Sequence, residues 1–195
     1  MPSEVLSYFL KHRDIGLKLR FQIVFQCAPF LKGLKVSCGI TMEKILFCEL
    51  EHIFMGTPIM YRKLSEAGGR CFVLLYREEE LLEYLKTVGV RSFIQSFGYE
   101  SMGLNEMLDR LSLRVSSFEL GGMGFPHEIG VFLGYPVKDV RGFIKKEGKE
   151  YLLLGYWKVY DNPIAAKMIF RKYDQAKVCA VNEFLTGKSI REIYH

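Results

Sequence analysis

The chain lacks the features that would mark it for a membrane or for secretion. A bilayer span needs about 20 apolar residues. The longest uncharged stretches, such as 21–31, reach only about half that length, and Gln22 and Gln26 interrupt this one. The first residues, MPSEVLSYFLKHRD, have no basic leader followed by a continuous apolar segment and a small-residue cleavage site, so no signal peptide is read there. Cysteine is sparse and unpaired: Cys27, Cys38, Cys48, Cys71 and Cys179 are odd in number and contain no CxxC pair. Reduced thiols and a cytoplasmic location are the expectation. Low-complexity tracts and repeats of fixed period are also missing, which excludes solenoids and disordered linkers.

What is present suits one domain over residues 1–195. The length can bury a sizeable core, and 49% hydrophobic with 25% charged residues is an ordinary globular composition. The net charge of +5 is unevenly placed. Residues 1–137 balance 15 Lys and Arg against 15 Asp and Glu, whereas residues 138–195 hold 12 against seven. The basic C-terminal third fits an anionic ligand or nucleic acid, and a solvated Lys-rich helix face explains it as well.

Periodicity and turn residues predict an α+β fold: a small, mostly buried sheet of three or four strands against several helices. Ser3 is placed to cap a first helix through Val5, Leu6, Phe9 and Leu10. Asp14 caps a second, ended by Pro29 and Gly33. Residues 35–42 read as a strand, 43–54 as a helix, and 59–67 as another helix closed by Gly68-Gly69. The run RCFVLLY, 70–76, is the clearest buried strand. Helices follow over 79–87, near 91–97 and over 104–115. Residues 151–160 suggest an internal strand kinked at Gly155. Asn162 followed by Pro163 starts a last long helix.

The stretch 125–160 combines FPHEIGVFLGYPVKDVRGFI, a charged turn and YLLLGYWKVY, with the single Trp. These strings, together with QCAPFLKGLKVS and VLLYREEELLEYL, resemble the bacterial domain-of-unknown-function family 3793 along nearly the whole chain. The resemblance implies no particular activity.

Three constellations carry chemistry. A nucleophilic Cys needs a base and a group that orients it, and these are free to lie far apart in sequence, so Cys27, His127 and Glu128 form one candidate. Packing explains Cys27 equally well, because free Cys is commonly buried. Tyr135, Trp157 and Lys158 form a candidate binding surface, two aromatic faces and a cation for a small molecule or an anionic ligand. Cys48 and His52 have i, i+4 spacing, but no second pair completes a site, so no metal is assigned.

A further candidate is a helix-turn-helix over 126–146. Gly134-Tyr135 would be the turn, and Lys138, Arg141, Lys145 and Lys146 would face outward to DNA. Asp139 and Gly142 count against it, the first by repelling phosphate and the second by weakening the helix. The glycines at 121, 122 and 124 match no phosphate-loop spacing. A small-ligand- or protein-binding domain is the leading expectation, with DNA binding and a purely structural module as alternatives.

Overall fold

The computed structural model describes residue 9 and residues 12–122 and 124–194. The expected first helix and its Ser3 cap lie outside the described residues except for Phe9, whose buried ring stacks on Phe21 with centroids 4.3 Å apart. Asp14 caps α1 (Ile15–Leu31), its Oδ1 accepting the Leu17 N–H at 3.0 Å. Pro29 does not end this helix. It sits in the final turns, where its missing donor costs a single intrahelical bond, and the helix continues to Leu31.

The main sheet has β3 (Arg70–Arg77) at its centre, paired antiparallel with β1 (Ser37–Glu43) on one side and β2 (Ile59–Ala67) on the other. The alternation of side chains along β3 divides the interior in two. Cys71, Val73 and Leu75 enter one core, and Leu74 and Tyr76 enter the other. The first core is completed by α1 and, beside it, the long α8 (Pro163–Leu185). The second is covered by α3 (Glu78–Lys86), α4 (Val88–Gln95) and α5 (Leu104–Glu119), with α6 (Ile129–Phe132) and α7 (Val137–Lys145). The fold is α+β, with a small, largely buried sheet.

Two segments differ from the sequence expectation. Residues 59–67 form strand β2 rather than a helix. Gly68 and Gly69, at φ +57° and +74°, make the two-residue turn of a β2–β3 hairpin, for which positive φ at both central positions is the favoured geometry. The Gly-Gly pair was legible as a stop signal, but it stops a strand. Of the helix expected over 43–54, Glu43 ends β1, and the rest forms a 3₁₀ turn, Lys44–Leu46, and then a short α2 (Glu49–Phe54).

The last strand expectation resolves into a small hairpin, β4 (Leu153–Leu154) with β5 (Lys158–Val159), separate from the main sheet. Gly155 lies in its turn, where the backbone runs so close to Phe170 that an added Cβ would overlap the ring. Asn162 and Pro163 start α8 as expected, with Asn162 Oδ1 accepting the Ala165 N–H at 3.0 Å.

Candidate ligand-binding site

The stretch 125–160 folds back on itself around a cavity of about 370 Å³. Its walls come from the His127 turn, α6, α7 and the β4–β5 hairpin. Gly134, at φ +75°, reverses the chain between the two helices, and Gly130 allows them to cross. A Cβ at Gly130 would stand 3.0 Å from Val140 Cγ2. The assembly is tied to the main sheet where the buried Ser37 hydroxyl donates to the Phe132 carbonyl. It is tied to α3 where the Tyr84 hydroxyl donates to the Tyr135 carbonyl at 3.2 Å.

Asp139 holds the hairpin against α7. Its Oδ2 accepts from Trp157 Nε1 at 2.7 Å, and its Oδ1 accepts the backbone N–H groups of Tyr160 at 2.7 Å and Asp161 at 3.0 Å. Three donors thus compensate a buried carboxylate that would otherwise be costly to desolvate. Gly142 completes the fit, since any side chain there would overlap Tyr160. Asp139 and Gly142 therefore have structural roles that sequence reasoning missed. No local pattern announces a bond spanning 18 residues.

The fixed Trp157 ring stacks on Tyr135, with centroids 5.7 Å apart at 28°, and meets Phe170 edge-on at 4.6 Å. His127 packs between Phe125 and Phe143, at 5.2 and 5.7 Å. Its Nδ1 is buried and has no hydrogen-bond partner among the described residues. Burial holds its pKa below the ordinary histidine value, aided by Arg114 and partly opposed by Glu128, so the imidazole is neutral near pH 7. Lys158 Nζ donates to the Gly148 carbonyl at 2.8 Å and lies over the rings of Tyr151 and Phe143, at 5.2 and 5.7 Å. No carboxylate pairs with it among the described residues.

His127, Tyr135, Trp157 and Lys158 are thereby brought to one cavity. Cys27 and Glu128 do not line it. Glu128 is fully buried and bound bidentately by the Arg114 guanidinium, and it accepts the Tyr99 hydroxyl at 3.1 Å. This pairing raises the pKa of Arg114, and burial with Glu128 raises that of Tyr99. Cys27 is enclosed in the first core beside Cys38. The Cys38 contact and burial push the Cys27 thiol well above its usual range. Lys35, whose pKa burial lowers, stands near both thiols and lies 5.3 Å above the Tyr135 ring. Cys48 donates to the Ile45 carbonyl at 3.5 Å, and no group of three or more metal-ligating side chains occurs among the described residues.

The helix-turn-helix expectation meets a mixed geometry. α6 is a single turn of four residues, short for a supporting helix. Asp139 points inward, which removes the expected clash with phosphate. Lys138, Arg141 and Lys145 are exposed on α7, although Lys138 pairs with Asp161 at 3.1 Å and Arg141 lies over Phe93 at 5.2 Å. In the glycine loop, the N–H groups of Gly121 and Gly122 close the end of α5 through Phe118 and Ser117 carbonyls.

A family model described as "Protein of unknown function (DUF3793)" matches residues 23–194, which include every residue of this cavity. The chain belongs to the DUF3793 family. No curated protein and no solved structure was found to match it. No helix of the DUF3793 chain, among its described residues, is long and apolar enough to cross a membrane.

Proposed function

We propose that this DUF3793 chain binds a small, flat, mostly apolar molecule bearing one anionic group. The observation that carries the reading is the buried, unpartnered Nδ1 of His127 inside an aromatic cavity. A buried polar atom without a partner costs free energy unless a ligand or water satisfies it. In the tautomer protonated at Nε2, Nδ1 is an acceptor that suits a ligand N–H or O–H. Lys158, with two N–H groups beyond its bond to Gly148, suits a carboxylate at the mouth. Phe143, Tyr135 and Trp157 supply faces for a ring. The unlinked thiols, Cys27 and Cys38 side by side, fit a reducing, cytoplasmic setting.

This reading gives Cys27 no catalytic part, since its thiol is enclosed and protonated. Trp157 is the single tryptophan, so its emission reports on the cavity directly. Aromatic carboxylates are expected to shift that emission, with weaker binding in His127→Ala and Lys158→Gln. Extraction and mass spectrometry of the purified protein would identify a resident ligand. An unchanged emission across a panel of aromatic acids, with no extractable molecule, would sink the proposal.

The exposed Lys138, Arg141 and Lys145 on α7 favour a second reading, contact with duplex DNA. It predicts low-salt binding that weakens steeply with added salt and is lost when the three are changed to Gln. Absence of binding at low salt removes it.

A further inference from the structure

A second cavity, of about 690 Å³, lies away from the Trp157 site, between the start of α1, α2, the end of α8 and α9 (Ile190–Ile193). Its floor is apolar, with Phe9, Ile53, Phe184 and Ile190 among the lining residues. Its polar lining is Arg20, His52, Lys188, Ser189 and Arg191, three of them cations, with no Asp or Glu among the described lining residues.

These cations are poorly neutralised. Among the described residues, Arg20 and Arg191 make neither an ion pair nor a hydrogen bond to another residue. Lys188 reaches Glu183 only at 3.9 Å, while that carboxylate pairs with Lys32 at 2.8 Å. The nearby Glu192 is taken up by Ser189, accepting from its N–H at 2.8 Å and its hydroxyl at 2.7 Å. Asp14, which feels the field of Arg20, accepts the Leu17 N–H at the start of α1.

Arg191 is also seated by the backbone. Its guanidinium covers Gly56, where an added Cβ would stand 3.1 Å from Cζ, and Gly56 has φ +75°. A side chain at 56 would displace the cation from its place. Two guanidinium groups and an ammonium lining one cavity with an apolar floor suit a dianion with an apolar body. A phosphomonoester carries close to two negative charges near neutral pH, and guanidinium groups match its oxygens bidentately. A monocarboxylate would leave most of the charge uncompensated.

We propose that this cavity is a separate ligand site for an organic phosphomonoester. Its phosphate is held by Arg20, Lys188 and Arg191, and its apolar part rests on Phe9, Ile53 and Phe184.

The test is calorimetric titration of the full chain with phenyl phosphate, inorganic phosphate and benzoate. Phenyl phosphate is expected to bind tightest, because only it joins a dianion for the rim to an apolar body for the floor. Arg20→Gln and Arg191→Gln should each weaken it about tenfold, the loss expected for one charge-assisted contact. Lys167→Gln removes an exposed charge of α8 that does not line the cavity, and should leave binding unchanged. Both arginines are exposed, and thermal melts of the two variants verify that each is folded.

Phosphatidylcholine vesicles with and without phosphatidic acid distinguish a lipid headgroup from a soluble phosphate. Selective capture by the acidic vesicles, lost in both arginine variants, assigns the lipid, and binding of phenyl phosphate alone assigns the soluble ester. The proposal is overturned if the arginine changes weaken benzoate as much as phenyl phosphate, if neither arginine variant weakens phenyl phosphate, or if Lys167→Gln weakens it equally. Loss of phenyl phosphate binding in His127→Ala, with none in Arg20→Gln or Arg191→Gln, would also overturn it, by placing the ligand in the first cavity alone.

Discussion

Asp139 Oδ2 accepts the indole N–H of Trp157 at 2.7 Å, and through this bond α7 holds the hairpin that forms one wall of the aromatic cavity. The same carboxylate also accepts two backbone N–H groups, so one side chain sets the position of residues 157–161. Asp139→Ala should leave three donors without their partner and cost about 2–4 kcal/mol, given roughly 1.5–3 kcal/mol for hydrogen bonds to charged groups and partial rehydration. Urea unfolding reads the loss, and a red shift of Trp157 emission would show the hairpin lifting. An unshifted spectrum would mean that the hairpin is held mainly by Phe170 and Tyr173.

The hairpin turn depends on Gly155. Gly155→Ala drives a methyl group into Phe170, and overpacking of this kind costs about 1–3 kcal/mol. Phe170→Leu should destabilise by itself, yet recover part of the Gly155→Ala loss when the two are combined. A double-mutant cycle checks this, and strict additivity would show that the two residues do not meet.

Glu128 holds its place through a buried ion pair. Glu128→Gln leaves Arg114 facing a neutral amide and should destabilise by about 3–5 kcal/mol. Replacing both, as Glu128→Gln with Arg114→Met, should cost less than Glu128→Gln alone. If Glu128 instead oriented His127 for catalysis, the variant would lose activity with little change in its denaturation midpoint.

His127 provides a pH signature. Its folded pKa lies below the ordinary histidine value of about 6.5, chiefly through burial, so below that pH the unfolded chain takes up the proton first. Stability should therefore fall as the pH drops through about 6.5 toward the lower folded value, and be regained on returning to neutrality. His127→Phe should lack this part of the pH dependence. The difference between the wild-type and variant denaturation midpoints, measured at several pH values, isolates it from the carboxylates. A ligand that donates to Nδ1 should bind more weakly over the same acid range.

How much of the molecule could be read in advance differs from segment to segment. β3 was legible because both of its faces are buried, which leaves a continuous apolar run. The Asn162-Pro163 start was legible because capping is local chemistry. β2 was not: Ile59, Leu64 and their neighbours fit either period, and only the pairing partner across Gly68-Gly69 chooses between them. The candidate site divides the same way. His127, Tyr135, Trp157 and Lys158 stood out by residue type and do meet, whereas Cys27 and Glu128 stood out and met Cys38 and Arg114 instead.

For this protein, the amino-acid sequence by itself determined the helix starts at Asp14 and Asn162-Pro163, the central strand and the family carried by 125–160. These rest on interactions within a few residues, or on runs long enough to have one reading. Only the tertiary structure decided which way Asp139 points, what fills the shell of Glu128, and that His127 keeps an unpartnered nitrogen in a cavity. Those outcomes rest on contacts between side chains many residues apart, and linear spacing carries no information about direction across such distances.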